Sequence, residues 1–294
     1  MDANMHSNTH VFDPGSSGIL AAGRFFYARV VAWAVLLFAI ATVFFFASVF
    51  GAHWLGLRGN WFYALAMVLP PLACCIYAVL VHFFERREVR EFEFTPSLIP
   101  EGVAGFVFGG VFIAAMWGLL LSIGLYTMHR GVWTRWFQDL VFSSYISAVL
   151  EELGFRAVLL RILARMWGVR AGVIVSSILF GLAHITHGSW FAVLGIILNA
   201  GLALGLLYVI TGRLWMSMGM HLGYDFIETS MLGVGNHHGL LVSAPKAGAA
   251  AWLTGGSFGP DAAIPGIALG IIVNILLWRF AFRGSKGHGS EAAG

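Results

Sequence analysis

Eight apolar stretches of roughly twenty residues dominate this chain of 294 residues, and they determine the solvent in which it folds. A transmembrane helix needs about 20 mainly apolar residues to cross roughly 30 Å of hydrocarbon. The stretches that meet this need are 25–50, 61–84, 103–126, 137–162, 171–187, 190–210, 214–231 and 262–282. Since 59% of all residues are hydrophobic and only 11% are charged, an ordinary soluble domain is excluded. We therefore predict an all-α, polytopic membrane bundle of about eight transmembrane helices.

The distribution of Lys and Arg predicts the orientation of this bundle. Among the loops implied by eight spans, twelve of the seventeen basic residues fall on one side and four on the other, while Arg156 lies within the fourth stretch. Cytoplasmic loops carry the excess of Lys and Arg. We expect an integral, multi-pass protein of a bacterial inner membrane with both termini in the cytoplasm. The basic residues are scattered in ones to threes, a pattern that does not indicate nucleic-acid binding.

Ionisable side chains inside the apolar stretches are few and clustered. Each costs about 2.5–3.5 kcal/mol at mid-bilayer on insertion scales, so such residues usually mark function. They are Glu151, Glu152 and Arg156 in the fourth stretch, His184 in the fifth, and His221, Asp225 and Glu228 in the seventh.

The spacing within the fourth stretch separates its two acids. Glu152 and Arg156 are four residues apart with the acid first, which favours an ion pair along one helix face. Glu151 is rotated away from Arg156 and remains available as a general base. The alternative is a charge network that only holds helices together, but two acids against one base leave a surplus negative charge.

The sequence around each single histidine does not decide between a packing role and a functional role. His184 ends the string FGLAH and His187 follows it, yet a lone histidine in an apolar segment is more often a packing residue. His221 and Asp225 share a helix face, where a carboxylate can fix the imidazole tautomer, and either group could bind a metal. At ~1.5 Å per residue, the clustered groups lie roughly 11–20 Å from the cytoplasmic ends of their helices. This common depth predicts a single site, nearer the cytoplasmic half of the membrane.

Three short motifs carry a resemblance to a known family. EELGFR at 151–156, FGLAH at 180–184 and HLGYD at 221–225 resemble the EExxxR, FxxxH and HxxxN/D motifs of the CPBP (Abi) family. These are the CAAX-processing and bacteriocin-processing intramembrane proteases, related to type II CAAX prenyl endopeptidase. The resemblance covers roughly residues 96–282, and LTGGSFGPDAAI at 253–264 is similar to the segment before the family's last helix.

The resemblance implies roles for the clustered residues. Glu151 and His184 would activate a water that attacks a peptide carbonyl, with Glu152 and Arg156 in support. His221 and Asp225 would stabilise the oxyanion or hold the site together. The prenyl-protease branch usually has asparagine at position 225, and an ionised carboxylate cannot donate a hydrogen bond. Asp225 is therefore interpreted as an orienter of His221, a protonated donor or a metal ligand.

Metal dependence stays open at the level of sequence. Two histidines and a carboxylate suit zinc, whose ligands would be Glu151, His184, His221 and Asp225. We favour a metal-free mechanism without a cofactor and keep a zinc-dependent version of the same protease as the alternative.

The resemblance also implies a peptide or protein substrate within the lipid bilayer and no nucleic acid. A deep site open to the cytoplasm would suit a prenylated peptide, while sorting-signal or bacteriocin leader peptides fit equally. Two alternatives from other classes are a proton-coupled transporter and a noncatalytic scaffold or immunity partner.

The remaining expectations concern the organisation of the chain. We predict disordered cytoplasmic tails at 1–24 and 284–294, two N-terminal transmembrane helices at 25–95 and a CPBP-like protease core at 96–283. The longest connection, 232–260, is expected on the non-cytoplasmic side and carries Asn236, His237 and His238.

The adjacent Cys74 and Cys75 cannot form a disulfide framework and are interpreted as packing residues. Gly195, Gly201 and Gly205 have spacings that permit close helix approach.

Overall fold

The computed structural model describes residue 12 and residues 18–233 and 239–283. The predicted tail 284–294 lies outside the described residues, as do most of the predicted tail 1–24 and the residues Asn236, His237 and His238. Within the described part of 1–24, Leu20 is fully buried and the Ile19 amide donates to the Phe84 carbonyl at 2.8 Å. The proposed limits of the four parts of the chain remain predictions.

Long helical segments follow one another through the described chain at the positions of the apolar stretches. They are α1 (Phe26–Trp54), α2 (Asn60–Glu85), α3 (Leu98–Ser122), α4 (136–167), α5 (Val169–Ala183), α6 (Trp190–Thr211), α7 (215–231) and α8 (Ile264–Ala281). By length and composition, five of those described can cross a membrane, namely α1, α2, α3, α6 and α8. The predicted all-α membrane bundle is confirmed, and the chain is an integral membrane protein. The count of eight crossings remains a prediction, because α5 is shorter and α4 and α7 carry the clustered charges.

Helix α4 alternates between π-helical and α-helical segments before and around Glu151 and Glu152. It has a π-helical segment at Asp139–Tyr145, an α-helical segment at Ile146–Glu152 and a second π-helical segment at Leu153–Leu160. Such wide turns are rare and are often found at functional sites. The α-helical segment ends at Glu152, so both neighbouring carboxylates lie where the winding changes.

A small antiparallel sheet identifies one end of the bundle. Strand β1 (Tyr126–Arg130) follows α3 and strand β2 (Leu241–Pro245) precedes α8, with Tyr126 opposite Pro245. We call this the sheet end. It brings together the α3–α4 and α7–α8 connections, which are on the same side of the membrane in the predicted topology.

The opposite end, which we call the basic end, contains a buried ion cluster. Arg161 of α4 donates from both Nη atoms to the Glu85 carboxylate of α2, each at 2.7 Å. Arg87 pairs with Glu85 at 2.8 Å and also with Glu91, and the Tyr77 hydroxyl donates to Glu91 at 2.7 Å. The cluster therefore ties the N-terminal helices to α4, which carries Glu151 and Glu152.

Glycines let α3 and α7 cross at backbone contact. A Cβ on Gly105 or Gly109 of α3 would collide with backbone carbonyls of α7, and a Cβ on Gly219 or Gly223 of α7 would collide with those of α3. Small residues at membrane helix contacts allow such close approach. Gly219 and Gly223 flank His221, so this contact fixes the depth of the imidazole.

The glycines selected from spacing also lie at close contacts. A Cβ on Gly195 would collide with the carbonyl of Asp261, while those on Gly201 and Gly205 would lie 3.2 Å from Ser177 and 3.3 Å from Leu160.

Candidate active site

A cavity of about 310 Å³ lies inside the bundle between α4, α5, α6 and α7. Its wall carries four of the six predicted site residues, Glu151, His184, His221 and Asp225. The other two, Glu152 and Arg156, lie behind this wall and are 0% and 1% exposed. The structure thus brings together residues from three helices that the sequence separates by up to 74 positions, from 151 to 225.

Glu152 is buried behind the cavity wall and contacts three polar side chains. One carboxylate oxygen, Oε1, lies 3.0 Å from Arg156 Nη1 and accepts from His221 Nδ1 at 3.0 Å. The other oxygen accepts from the Ser217 hydroxyl. A buried carboxylate is stable only when charged partners and donors surround it, as they do here. Glu152 therefore fixes the ring of His221 and is not itself exposed to a substrate.

Arg156 is held by three different groups. Besides Glu152, its Nη2 donates to the Gly201 carbonyl at 3.2 Å, and its guanidinium carbon lies 4.4 Å from the centre of the Phe180 ring. A guanidinium over an aromatic face is attracted by the ring quadrupole. Arg156 therefore links α4 to α5 and α6 and neutralises the buried Glu152.

Glu151 is arranged differently from its neighbour. Its Oε2 lies 3.8 Å from His184 Nε2 and 3.9 Å from His221 Nε2, both longer than a hydrogen bond. This oxygen has no hydrogen-bond partner among the described residues. Three polar atoms from three helices therefore converge here without a hydrogen bond between Glu151 and either imidazole. Glu151 thus lacks the close ion pair that Glu152 makes with Arg156, as the helical spacing predicts, and its role as a general base remains a prediction.

The tautomer of His184 follows from its position at the end of α5. The ring atom Nδ1 lies 2.8 Å from the Phe180 carbonyl. Because a carbonyl oxygen only accepts, Nδ1 carries a proton, and in the neutral ring Nε2 keeps its lone pair. This Nε2 points toward Glu151. The side chain of the neighbouring His187 lies outside what the structure describes.

His221 lies between two carboxylates. Its Nδ1 faces Glu152, and its Nε2 lies 3.4 Å from Asp225 Oδ2. Both ring nitrogens therefore have acceptors that fix the plane of the ring. Asp225 thus lies beside His221, and its role among the three that the sequence left open remains a prediction.

The sequence analysis missed several polar residues around this site. Asp261, 6% exposed, precedes α8; its carboxylate accepts from the Tyr224 hydroxyl and from Asn199 Nδ2. Ser217 precedes His221 by four residues, so helical spacing could have found it. No local pattern indicates Asp261, because its partners are 37 and 62 residues away.

The donor geometry does not favour a metal centre. Within the described part of the chain, no group of three or more His, Cys, Asp or Glu side chains is arranged to hold a metal ion. No catalytic step is derived through zinc, and the absence of a cofactor remains a prediction.

Comparison with known proteins bears on the region that contains these residues. A family model described as "Type II CAAX prenyl endopeptidase Rce1-like" matches residues 131–227, which include all six predicted site residues. No curated protein and no solved structure gives a significant match.

Proposed function

Since residues 131–227 match a family model described as "Type II CAAX prenyl endopeptidase Rce1-like", we propose that this chain is an intramembrane endopeptidase that uses water activated by Glu151 and His184. One observation carries the proposal: Glu151 Oε2 lies 3.8 Å from His184 Nε2 and 3.9 Å from His221 Nε2 inside a cavity. A water in the cavity beside these atoms would contact a base and a positioned imidazole at once.

The first step is attack by this water. Glu151 accepts one water proton, and the lone pair of His184 Nε2 accepts a hydrogen bond from the second. The water oxygen forms a bond to the carbonyl carbon of the peptide, and the carbonyl electron pair moves to its oxygen. Positioned general bases of this kind contribute about 10²–10⁴-fold to a rate.

The oxyanion formed in this step needs a donor. His221 donates from Nδ1 to Glu152, and when doubly protonated it presents an Nε2–H group toward the cavity. Donors fixed in advance at a developing negative charge supply a large part of catalysis. Asp225, 3.4 Å from the same nitrogen, holds the ring in place until substrate arrives.

The second step breaks the peptide bond. Glu151 returns its proton to the amide nitrogen, the electron pair of the oxyanion re-forms the carbonyl double bond, and the carbon–nitrogen bond breaks with its electron pair on the leaving amine. The products are a carboxylic acid and an amine, and the enzyme regains its ionised Glu151. Glu152 and Arg156 act as positioning residues because neither reaches the cavity.

The test compares the termini of membrane proteins in cells that express the wild type, Glu151→Gln, Glu151→Ala or His184→Ala. We expect termini that appear with the wild type and are missing from the Glu151 and His184 variants. Glu88→Gln is the matched control: this side chain is 81% exposed at the basic end, and the change should leave cleavage intact.

Equal termini in all these strains would refute the protease assignment and leave the noncatalytic scaffold as the better hypothesis. Substrate-dependent ion flux in liposomes would instead support the transporter.

A further inference from the structure

The cavity is not equally open toward the two ends of the bundle. Along α4, Ser143, Ser147 and Glu151 recur every four residues and all line it. Ser143 is exposed, Ser147 is partly exposed and the Glu151 side chain is 17% exposed, whereas Phe155 on the next turn is 6% exposed. Accessibility therefore falls from the sheet end toward the basic end.

Solvent exposure along α7 also falls from the sheet end toward the basic end, although α7 runs in the opposite direction to α4. Glu228 is partly exposed and the Asp225 side chain is 23% exposed, whereas His221 is 6% and Ser217 is 0% exposed. Because α4 and α7 run in opposite directions, no property of one helix explains the agreement. The cavity is closed behind Glu152 and Ser217 and open at the sheet end.

The polar side chains that line the open side of the cavity indicate that it is filled by water. Its wall includes two serines of α4 and the carboxyl groups of Asp225, Glu228 and Asp261. Ionisable side chains within a membrane normally face a protein interior or a water-filled cavity. An opening lined in this way admits water and polar peptide more readily than lipid chains.

The charge distribution assigns a side of the membrane to this opening. The sheet end contains the α3–α4 and α7–α8 connections, which belong to the side with four Lys and Arg residues against twelve. By the positive-inside rule that side is non-cytoplasmic. Resting on the proposed function, we propose that water and substrate enter the active site from the non-cytoplasmic side.

The substrate class follows from this geometry. Substrates are peptide segments that emerge at the non-cytoplasmic face, such as the flank of a membrane anchor or an exported peptide. A lipid-modified C-terminus that remains in the cytoplasm lies at the closed side of the site. The proposed direction of opening differs from the expectation of a site open to the cytoplasm, and cysteine labelling distinguishes the two.

Cysteine labelling tests the direction of opening. In a Cys74→Ser/Cys75→Ser background, which removes both native thiols, single cysteines replace Ser147, Arg130 or Glu88. Arg130 is exposed at the sheet end and Glu88 at the basic end. A charged, membrane-impermeant maleimide is added to right-side-out and to inverted membrane vesicles.

The matched control uses a neighbouring serine. Ser144 of α4 is 0% exposed, so Ser144→Cys should label about tenfold less than Ser147→Cys, because buried thiols are inert. Ser143→Cys is a second cavity variant in case one substitution prevents folding.

Each labelling outcome decides the proposal. We expect Ser147→Cys and Arg130→Cys to label in right-side-out vesicles and Glu88→Cys in inverted ones. Labelling of Ser147→Cys together with Glu88→Cys would overturn the direction of opening. Labelling of Arg130→Cys only in inverted vesicles would overturn the orientation. No labelling of either cavity variant, with both surface controls labelled, would mean an opening into lipid and would also overturn the proposal.

The termini from the cellular comparison supply an independent readout. New termini on the non-cytoplasmic side support the proposal, and cytoplasmic ones overturn it while leaving the protease assignment intact. If no termini differ, the proposed function fails, and labelling still decides where the cavity opens.

Discussion

Glu151 and Glu152 are adjacent, yet the structure predicts very different losses of stability when each is changed to glutamine. Glu152 is fully buried and compensates Arg156, which lies 3.0 Å away. Glu152→Gln leaves the guanidinium buried without its counter-charge. Among the described residues Glu151 has no ion partner closer than 3.8 Å, so Glu151→Gln removes a charge that stabilises little.

The magnitudes differ enough to be measured. Breaking a buried ion pair by removing one partner costs about 3–5 kcal/mol. At roughly 2–4 °C per kcal/mol for a large domain, the unfolding midpoint of Glu152→Gln should fall by about 10 °C. Glu151→Gln should change the free energy of unfolding by less than about 0.5 kcal/mol. Cleavage is expected to fall by about 10²–10⁴-fold in Glu151→Gln because the general base is lost.

The assay is thermal unfolding of purified variants in one detergent, with cleavage of an identified substrate measured on the same samples. The double variant Glu152→Gln/Arg156→Gln serves as control. It removes both charges and should be more stable than the sum of the two single effects predicts. Equal destabilisation by Glu151→Gln and Glu152→Gln would refute the distinction between a free and a paired carboxylate.

Three further predictions concern other parts of the molecule. Gly223→Leu should destabilise the protein by about 1–3 kcal/mol through overpacking at the α3–α7 contact, measured as a lowered unfolding midpoint, and a wild-type midpoint would contradict that contact. At the basic end, burial alone would raise the pKa of Glu91, but Arg87 holds this pKa below its ordinary value of about 4.3. The resulting stability is fully present above that ordinary value and is lost as pH falls through the lower folded-state pKa; Glu91→Gln should abolish this acid-dependent loss in thermal scans. Purified protein should contain no stoichiometric zinc by elemental analysis, and zinc that disappears in Glu151→Ala would support the metal-dependent alternative.

Local spacing predicted the parts of the site that lie on one helix. The pair Glu152 and Arg156 follows from a separation of four residues, and His221 and Asp225 share a face for the same reason. The apolar stretches also located the long helices, since hydrocarbon thickness fixes their length. These features depend only on neighbours within about two turns.

Contacts between distant segments could not be predicted in this way. Arg161 was counted among the basic loop residues that indicate orientation, but its charge is matched by Glu85, 76 residues earlier. The π-helical turns of α4 and the acceptor role of Asp261 likewise depend on which helices pack together. One sequence without an alignment contains no direct signal for such pairings.

The buried side chains that close the cavity toward the basic end have a consequence for the membrane itself. An enzyme that admits water to the middle of a bilayer risks becoming a leak for protons. Here Glu152, Arg156 and Ser217 fill the bundle below the reactive carboxylate, with each side chain at most 1% exposed. Because Arg156 pairs with Glu152 at 3.0 Å and the Ser217 hydroxyl donates to Glu152, we expect the proposed hydrolysis to proceed without a proton leak between the two compartments.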